Sequence, residues 1–302
     1  MSRADETDRA RSAHAEESRA KKRAATLSIL AAAFLIALKT ATGLLTGSIS
    51  VWASLLDSVM DIIASTINFI AVRAAARPAD EDHTYGHGKA ESLGGLFQAV
   101  VIALSGLFLI VEAVARLRTP HKTNNEWVGI ITMAVAIIVS LLLVRTLRRV
   151  AHETDSIALS SDAVHYVSDI FTNAGALVAL AIISLTGWRI IDPLISILIS
   201  LYILWSAFSI GKDAVDILMD RSLPAGVSEE IAQIVERYRD SGVRGFHDLR
   251  SRRSGSHKFI DLHLEIERTK SLEEAHALTV RVLREIEATI PRSRVHIHTD
   301  PS

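Results

Sequence analysis

Six stretches of mostly apolar residues, 25–45, 49–72, 92–115, 127–144, 157–185 and 191–210, constrain this chain more than any other feature of it. Each approaches or exceeds the length of about 20 residues that a helix needs to cross the hydrocarbon of a bilayer. Backbone amides cannot stay unpaired in lipid, and the runs are too long for barrel strands, so each predicts a transmembrane helix. An even number of spans puts both termini on one side. Lys21, Lys22 and Arg23 before the first span, Arg145, Arg148 and Arg149 after the fourth, and Lys212 and Arg221 after the sixth assign that side to the cytosol. Arg116, Arg118 and Lys122, between the third and fourth spans, run against the assignment.

Apolar residues make up 49% of the chain and charged residues 22%, and the two are segregated. Residues 1–23 mix Arg, Glu, Asp and Lys without apolar periodicity and lack the pattern of a signal peptide, which predicts a disordered cytosolic tail. Residues 24–213 form the six-helix, all-α transmembrane domain. Residues 224–302 read as a small cytosolic α+β module in the order αββαβ: a helix at 227–238, strands at 243–251 and 258–267, a helix at 272–290 and a strand at 294–298. In its second strand Ile260, Leu262, Leu264 and Ile266 alternate with Phe259, Asp261, His263 and Glu265, so one face packs and the other is polar. A dimer would enlarge so small a core. A net charge of −1 and 5% aromatic residues give no reason to expect a nucleic-acid partner. There is no cysteine, so any metal site must use imidazole and carboxylate.

Those ligand types occur where they are most costly. Asp57 and Asp61 in the second span, and His165 and Asp169 in the fifth, are each spaced i,i+4 and so share a helix face. A charge in mid-bilayer costs several kcal/mol and needs a partner. At ~1.5 Å per residue from the cytosolic boundaries, Asp61 and Asp57 lie roughly 18 and 24 Å deep, and His165 and Asp169 roughly 14 and 20 Å. Three carboxylates and an imidazole in one layer match a tetrahedral site for zinc or a similar dication. A water-lined cavity, or a pairing with Lys39 of the first span, is the alternative. Asp162, one turn before His165, either lines the cytosolic approach or has a capping or solvated role.

Two more clusters lie outside the spans. Asp80, His83 and His87 sit in the loop between the second and third, with Gly86 and Gly88 loosening the backbone; they either hold a metal or form an ordinary solvated loop. In the C-terminal module His247 begins a strand, His263 stands on the polar face of the next, His276 is in the second helix, and alternation puts His296, His298 and Asp300 on one face.

The segments SLLDSVMD (54–61), DEDHTYGHGKAES (80–92), SDAVHYVSD (161–169), HDLRSRRSG (247–255), DLHLEIE (261–267) and HIHTDP (296–301) together resemble the cation diffusion facilitators, in particular the bacterial zinc and ferrous-iron efflux pumps. The resemblance covers nearly the whole chain after residue 23. It implies a homodimer in the bacterial inner membrane, with cytosolic N- and C-termini and a metallochaperone-like C-terminal domain, exporting divalent metal by proton antiport. It also implies a transport site at Asp57, Asp61, His165 and Asp169, an interfacial site at Asp80, His83 and His87, and a two-metal site at His247, His263, His276, His298 and Asp300. His296 matches no such position. Lys89 and Asp220 would form a charge interlock between subunits, with a plain surface pair as the alternative.

No GxxxxGK[ST] loop is present, so ATP is not the expected energy source. Metal ligands must be deprotonated, so metal and protons compete for one site, and an imidazole, which titrates near pH ~6.5 in water, suits that exchange. The expected function is export of zinc, with cadmium, ferrous iron and cobalt also compatible, by a secondary transporter that is not an enzyme. The competing readings are a membrane-anchored metal sensor or chaperone, and a passive channel. An anchor has no use for buried carboxylates.

Overall fold

The computed structural model describes residues 3–46, 49–118, 126–188 and 190–302; within its helices, the side chains of 3–14, 45–46, 49–57, 116, 118 and 126 lie outside the described set. The chain divides into two compact units, residues 1–215 and 216–302.

The first unit holds α1 (Arg3–Thr46), α2 (Ile49–Ala75), α3 (Ala90–Arg118), α4 (Glu126–Thr154), α5 (Ile157–Thr186) and most of α6 (Ile191–Leu218). Among the described residues all six are long and apolar enough to cross a membrane. Where a disordered cytosolic tail is expected over 1–23, α1 is described as helical from Arg3. Its segment before the apolar run is rich in the helix formers Ala, Arg, Lys and Glu. Among its described side chains, the Lys21 ammonium lies 3.4 Å from Glu17 and 2.8 Å from Glu91 at the start of α3. Glu91 also accepts the Ser156 hydroxyl at 2.6 Å, and Ser156 caps α5 by accepting from the Leu159 N–H. One carboxylate thus joins α1, α3 and the first turn of α5. The fourth helix outruns its apolar stretch, continuing through Arg145, Arg148 and Arg149 to Thr154, with an Arg149–Glu153 pair at 2.8 Å on its exposed flank.

The main core lies among α1, α2, α4 and α5, where Ala24, Val72, Leu143, Leu147, Leu159 and Tyr166 are buried together. A second cluster joins α3 to α6 through Ile102, Ile203 and Ala207. Lipid gives helices little hydrophobic reason to associate, so small residues set the close approaches. At Gly94 of α3 a Cβ would meet the Ala71 Cβ of α2 at 2.6 Å. At the far end of α5, Gly187 takes a left-handed φ of 74° and closes the helix through its N–H to the Ile183 carbonyl.

The second unit contains α7 (Ala225–Glu236), β1 (Val243–Ser254), β2 (His257–Ile266), α8 (Leu272–Thr289) and β3 (Ser293–Pro301), with a short 3-10 turn at Arg239–Ser241. The sheet order is β1-β2-β3, antiparallel between β1 and β2 and parallel between β2 and β3. The order αββαβ is the one expected. Both helices cover one face, where Ile231, Ile234, Ile260, Leu262, Leu264, Val282 and Ile286 make the core. Ser271 and Glu274 form a reciprocal capping box at the start of α8. Leu264 is fully buried in the central strand. Its replacement by alanine should cost about 2–5 kcal/mol and lower the melting temperature of the isolated module by roughly 10 °C or more, read by circular dichroism.

Candidate metal sites

Helix α5 enters the bundle from its Ser156 cap, which places His165 about two turns in. His165 is buried, and its Nε2 lies 3.0 Å from Asp61 Oδ1 on α2 and 3.9 Å from Asp169 Oδ2 one turn further along α5. One donor atom from each of Asp61, His165 and Asp169 lies within 4.8 Å of the others. The fourth expected member, Asp57, is carried by α2 one turn before Asp61, and its side chain lies outside the described residues.

The loop cluster also closes. Asp80, His83 and His87 bring donor atoms within 4.8 Å of one another. The backbone N–H of His83 donates to Asp80 Oδ1 at 2.7 Å, and that bond is the main reason the Asp80 carboxyl titrates below the usual carboxylate range. His87 Nδ1 lies 3.2 Å from the Pro78 carbonyl, which can only accept, so Nδ1 is the donor there, and Nε2 faces Asp80, 3.4 Å away. Gly86, at φ 81°, makes the left-handed turn between the two histidines.

In the second unit the register puts His247, His263 and His298 directly opposite one another across the three strands, on the face away from the helices. Asp300 is their common partner: Oδ2 lies 2.8 Å from His263 Nδ1 and 3.4 Å from His247 Nε2, and Oδ1 lies 3.2 Å from His298 Nε2. The bond to His263 is the main cause that holds the Asp300 carboxyl below its ordinary value of 3.8. The stabilisation from this bond is complete above that value and is lost as pH falls through the depressed one. Imidazoles and a carboxylate in this arrangement could hold a metal ion. His276 does not join them. It is exposed on α8, and among the described residues it is in none of the groups that could hold a metal.

The family model for the cation efflux transmembrane domain matches residues 25–219, and that for the cytoplasmic domain of cation efflux proteins matches residues 223–302. The chain belongs to the cation diffusion facilitator family. It is a multi-pass cation efflux transporter rather than an enzyme. The cation-efflux pump FieF of Citrobacter koseri is 42% identical over 279 residues, covering 92% of this chain and 92% of that one. FieF of Klebsiella pneumoniae subsp. pneumoniae is 41% identical over 280 residues, covering 93% and 92%. Among solved structures, the metal-bound C-terminal domain of the CzcD transporter from Thermotoga maritima is 29% identical over 26% of this chain and 88% of that domain, with a TM-score of 0.24.

Sequence assigns no role to Asp248 and Glu265 of this cation efflux transporter, and leaves alternatives at Asp162 and Asp220. Asp248 has donor atoms grouped with those of His247 and His263, because a register shift between His247 and Arg250 inserts an extra residue and puts Asp248 at φ 50°. Nothing in the sequence marks that bulge. Glu265, 3.0 Å from His247 Nδ1, was legible, since it is two residues from His263 on the same strand face. Asp162 is buried against Ser28 of α1 at 2.5 Å, which rules out a solvated role. Asp220 pairs with Arg252 of the same chain at 3.5 Å.

Proposed function

We propose that this protein exports zinc, with cadmium, ferrous iron and cobalt also compatible, from the cytosol in exchange for protons, by alternating access around Asp57, Asp61, His165 and Asp169. The observation that carries this is the contact between the buried His165 imidazole and the Asp61 carboxylate at 3.0 Å, with Asp169 beside them. A hydrogen bond between those atoms and a dication shared by them are alternatives, because the nitrogen and oxygens that would hold the metal are the ones that hold the proton. Proton exchange is therefore built into the donor set. Moving a dication out against an inside-negative potential requires about 4.6 kcal/mol per 100 mV, and inflowing protons can supply it. An imidazole in a set of four favours zinc over magnesium, calcium or manganese, which prefer oxygen-only, higher coordination. A sensor or chaperone merely anchored in the membrane would not bear the insertion cost of these groups.

The positive residues that flank the first, fourth and sixth spans support cytosolic termini and a place in the bacterial inner membrane. Two copies would meet through their C-terminal modules. There His247, His263, His298 and Asp300, with Asp248 available beside them, bind zinc as a structural and regulatory ion, and the loop set Asp80, His83 and His87 holds a further ion. His276 would serve only with a ligand from outside its own group. Asp300→Asn should weaken zinc binding to the isolated module at least tenfold in calorimetry, since Asp300 is the partner common to three histidines. Zinc and proton fluxes recorded together in vesicles with the purified protein test the main proposal. Saturable zinc movement that stops when the proton gradient is collapsed is expected. Zinc movement indifferent to that gradient would defeat antiport and leave a passive channel.

A further inference from the structure

Ser28 of α1 is gripped twice by α5. Its hydroxyl donates to Asp162 Oδ2 at 2.5 Å, and its carbonyl accepts the Tyr166 hydroxyl at 3.0 Å. The Tyr166 oxygen lies a further 3.3 Å from Ser65 Oγ on α2. All four side chains are buried. Asp162 and Tyr166 are spaced i,i+4, so both bonds come from one face of α5, and two bonds one turn apart fix the rotation of that helix as well as its distance from α1. His165 lies between them in sequence, about 100° around the helix from Tyr166, and its ring meets the Tyr166 ring edge-on with centroids 5.5 Å apart.

The geometry points to Ser28, Asp162 and Tyr166 as a clamp of positioning residues that aims His165 at Asp61 and thereby sets the affinity of the transport site for its ion. This rests on the proposal that Asp61, His165 and Asp169 hold that ion. An imidazole tip stands roughly 5–6 Å from its helix axis, so a ~20° roll of α5 would carry it about 2 Å. The placement that a preorganised ligand needs is about 0.5 Å. Neither bond of the clamp involves a donor atom of the site, so its loss changes aim and leaves the ligands in place.

The test is zinc transport by the full-length protein in vesicles, comparing wild type with Ser28→Ala, Ser28→Thr, Tyr166→Phe, the double variant Ser28→Ala/Tyr166→Phe and Asp61→Ala. Interhelical hydrogen bonds in membranes are worth about 0.6–2 kcal/mol, which is roughly a 3- to 30-fold effect. Ser28→Ala and Tyr166→Phe should each raise KM for zinc about tenfold with kcat within about twofold. Ser28→Thr, which keeps both hydroxyl and carbonyl, should stay near wild type, and the double variant should be little worse than the poorer single one, because both act on one clamp. Unchanged KM in both single variants, or Ser28→Thr as impaired as Ser28→Ala, overturns the clamp. If Ser28→Ala fails to fold, Tyr166→Phe decides by the same measure. Transport surviving in Asp61→Ala would instead overturn the site itself, so the two failures are distinguishable.

Discussion

Asp61→Ala should reduce zinc transport into vesicles by at least a hundredfold while leaving the protein folded. Asp61 supplies the carboxylate nearest to His165 among the described residues, at 3.0 Å, and Asp169 of α5 is the other described acid in that group. Altering an outer-shell partner of a metal ligand commonly lowers affinity 10- to 100-fold, so deleting a ligand should have a larger effect. The substitution also leaves His165 buried beside one fewer acid, so an ion there loses both a ligand and a neutralising charge. Asp57→Ala should behave alike, as Asp57 occupies the same face of α2 one turn earlier. Measurement of zinc entry under an imposed pH gradient, with gel filtration to confirm an intact protein, decides the matter. Wild-type rates in Asp61→Ala would remove the transport site.

His165→Asp should shift preference from zinc toward manganese, with the ratio of zinc to manganese transport falling at least tenfold. The imidazole is the only nitrogen donor in the group, and replacing it leaves oxygen alone. Oxygen-only sets suit manganese and other ions that accept more than four ligands, whereas an imidazole in a tetrahedral set suits zinc. Aspartate is shorter than histidine, which leaves room for water in the first shell. Competition of manganese against zinc in the variant checks this, and an unchanged ratio in a folded, active protein would show that selectivity comes from elsewhere.

The spans and the αββαβ order were legible because each rests on a local pattern: long apolar runs for the helices, and period-2 alternation at Ile260, Leu262 and Leu264 for the central strand. The facing of Asp61 and His165 was legible for the same reason, since i,i+4 spacing fixes a face and depth can be counted from the boundaries. What escaped depends on contacts distant in sequence. Lys21 of α1 reaches Glu91 of α3, a pair 70 residues apart with no periodic signature. Opposite charges at the same end of two spans were its only trace. The clamp on Ser28 joins positions 134 and 138 residues apart. The bulge at Asp248 and the separation of His276 from the strand histidines are matters of backbone register and helix facing, which residue types do not encode. Where the family resemblance grouped five residues in the C-terminal module, the sheet register brings four of them together.

Anomalous scattering at the zinc edge from crystals of the zinc-loaded protein tests the proposed cage most directly. A peak is expected between α2 and α5, about 2.0–2.2 Å from His165 nitrogen and from the carboxylates of Asp57, Asp61 and Asp169. Zinc peaks confined to the loop and the C-terminal module, with none between those two helices at saturating zinc, would contradict it.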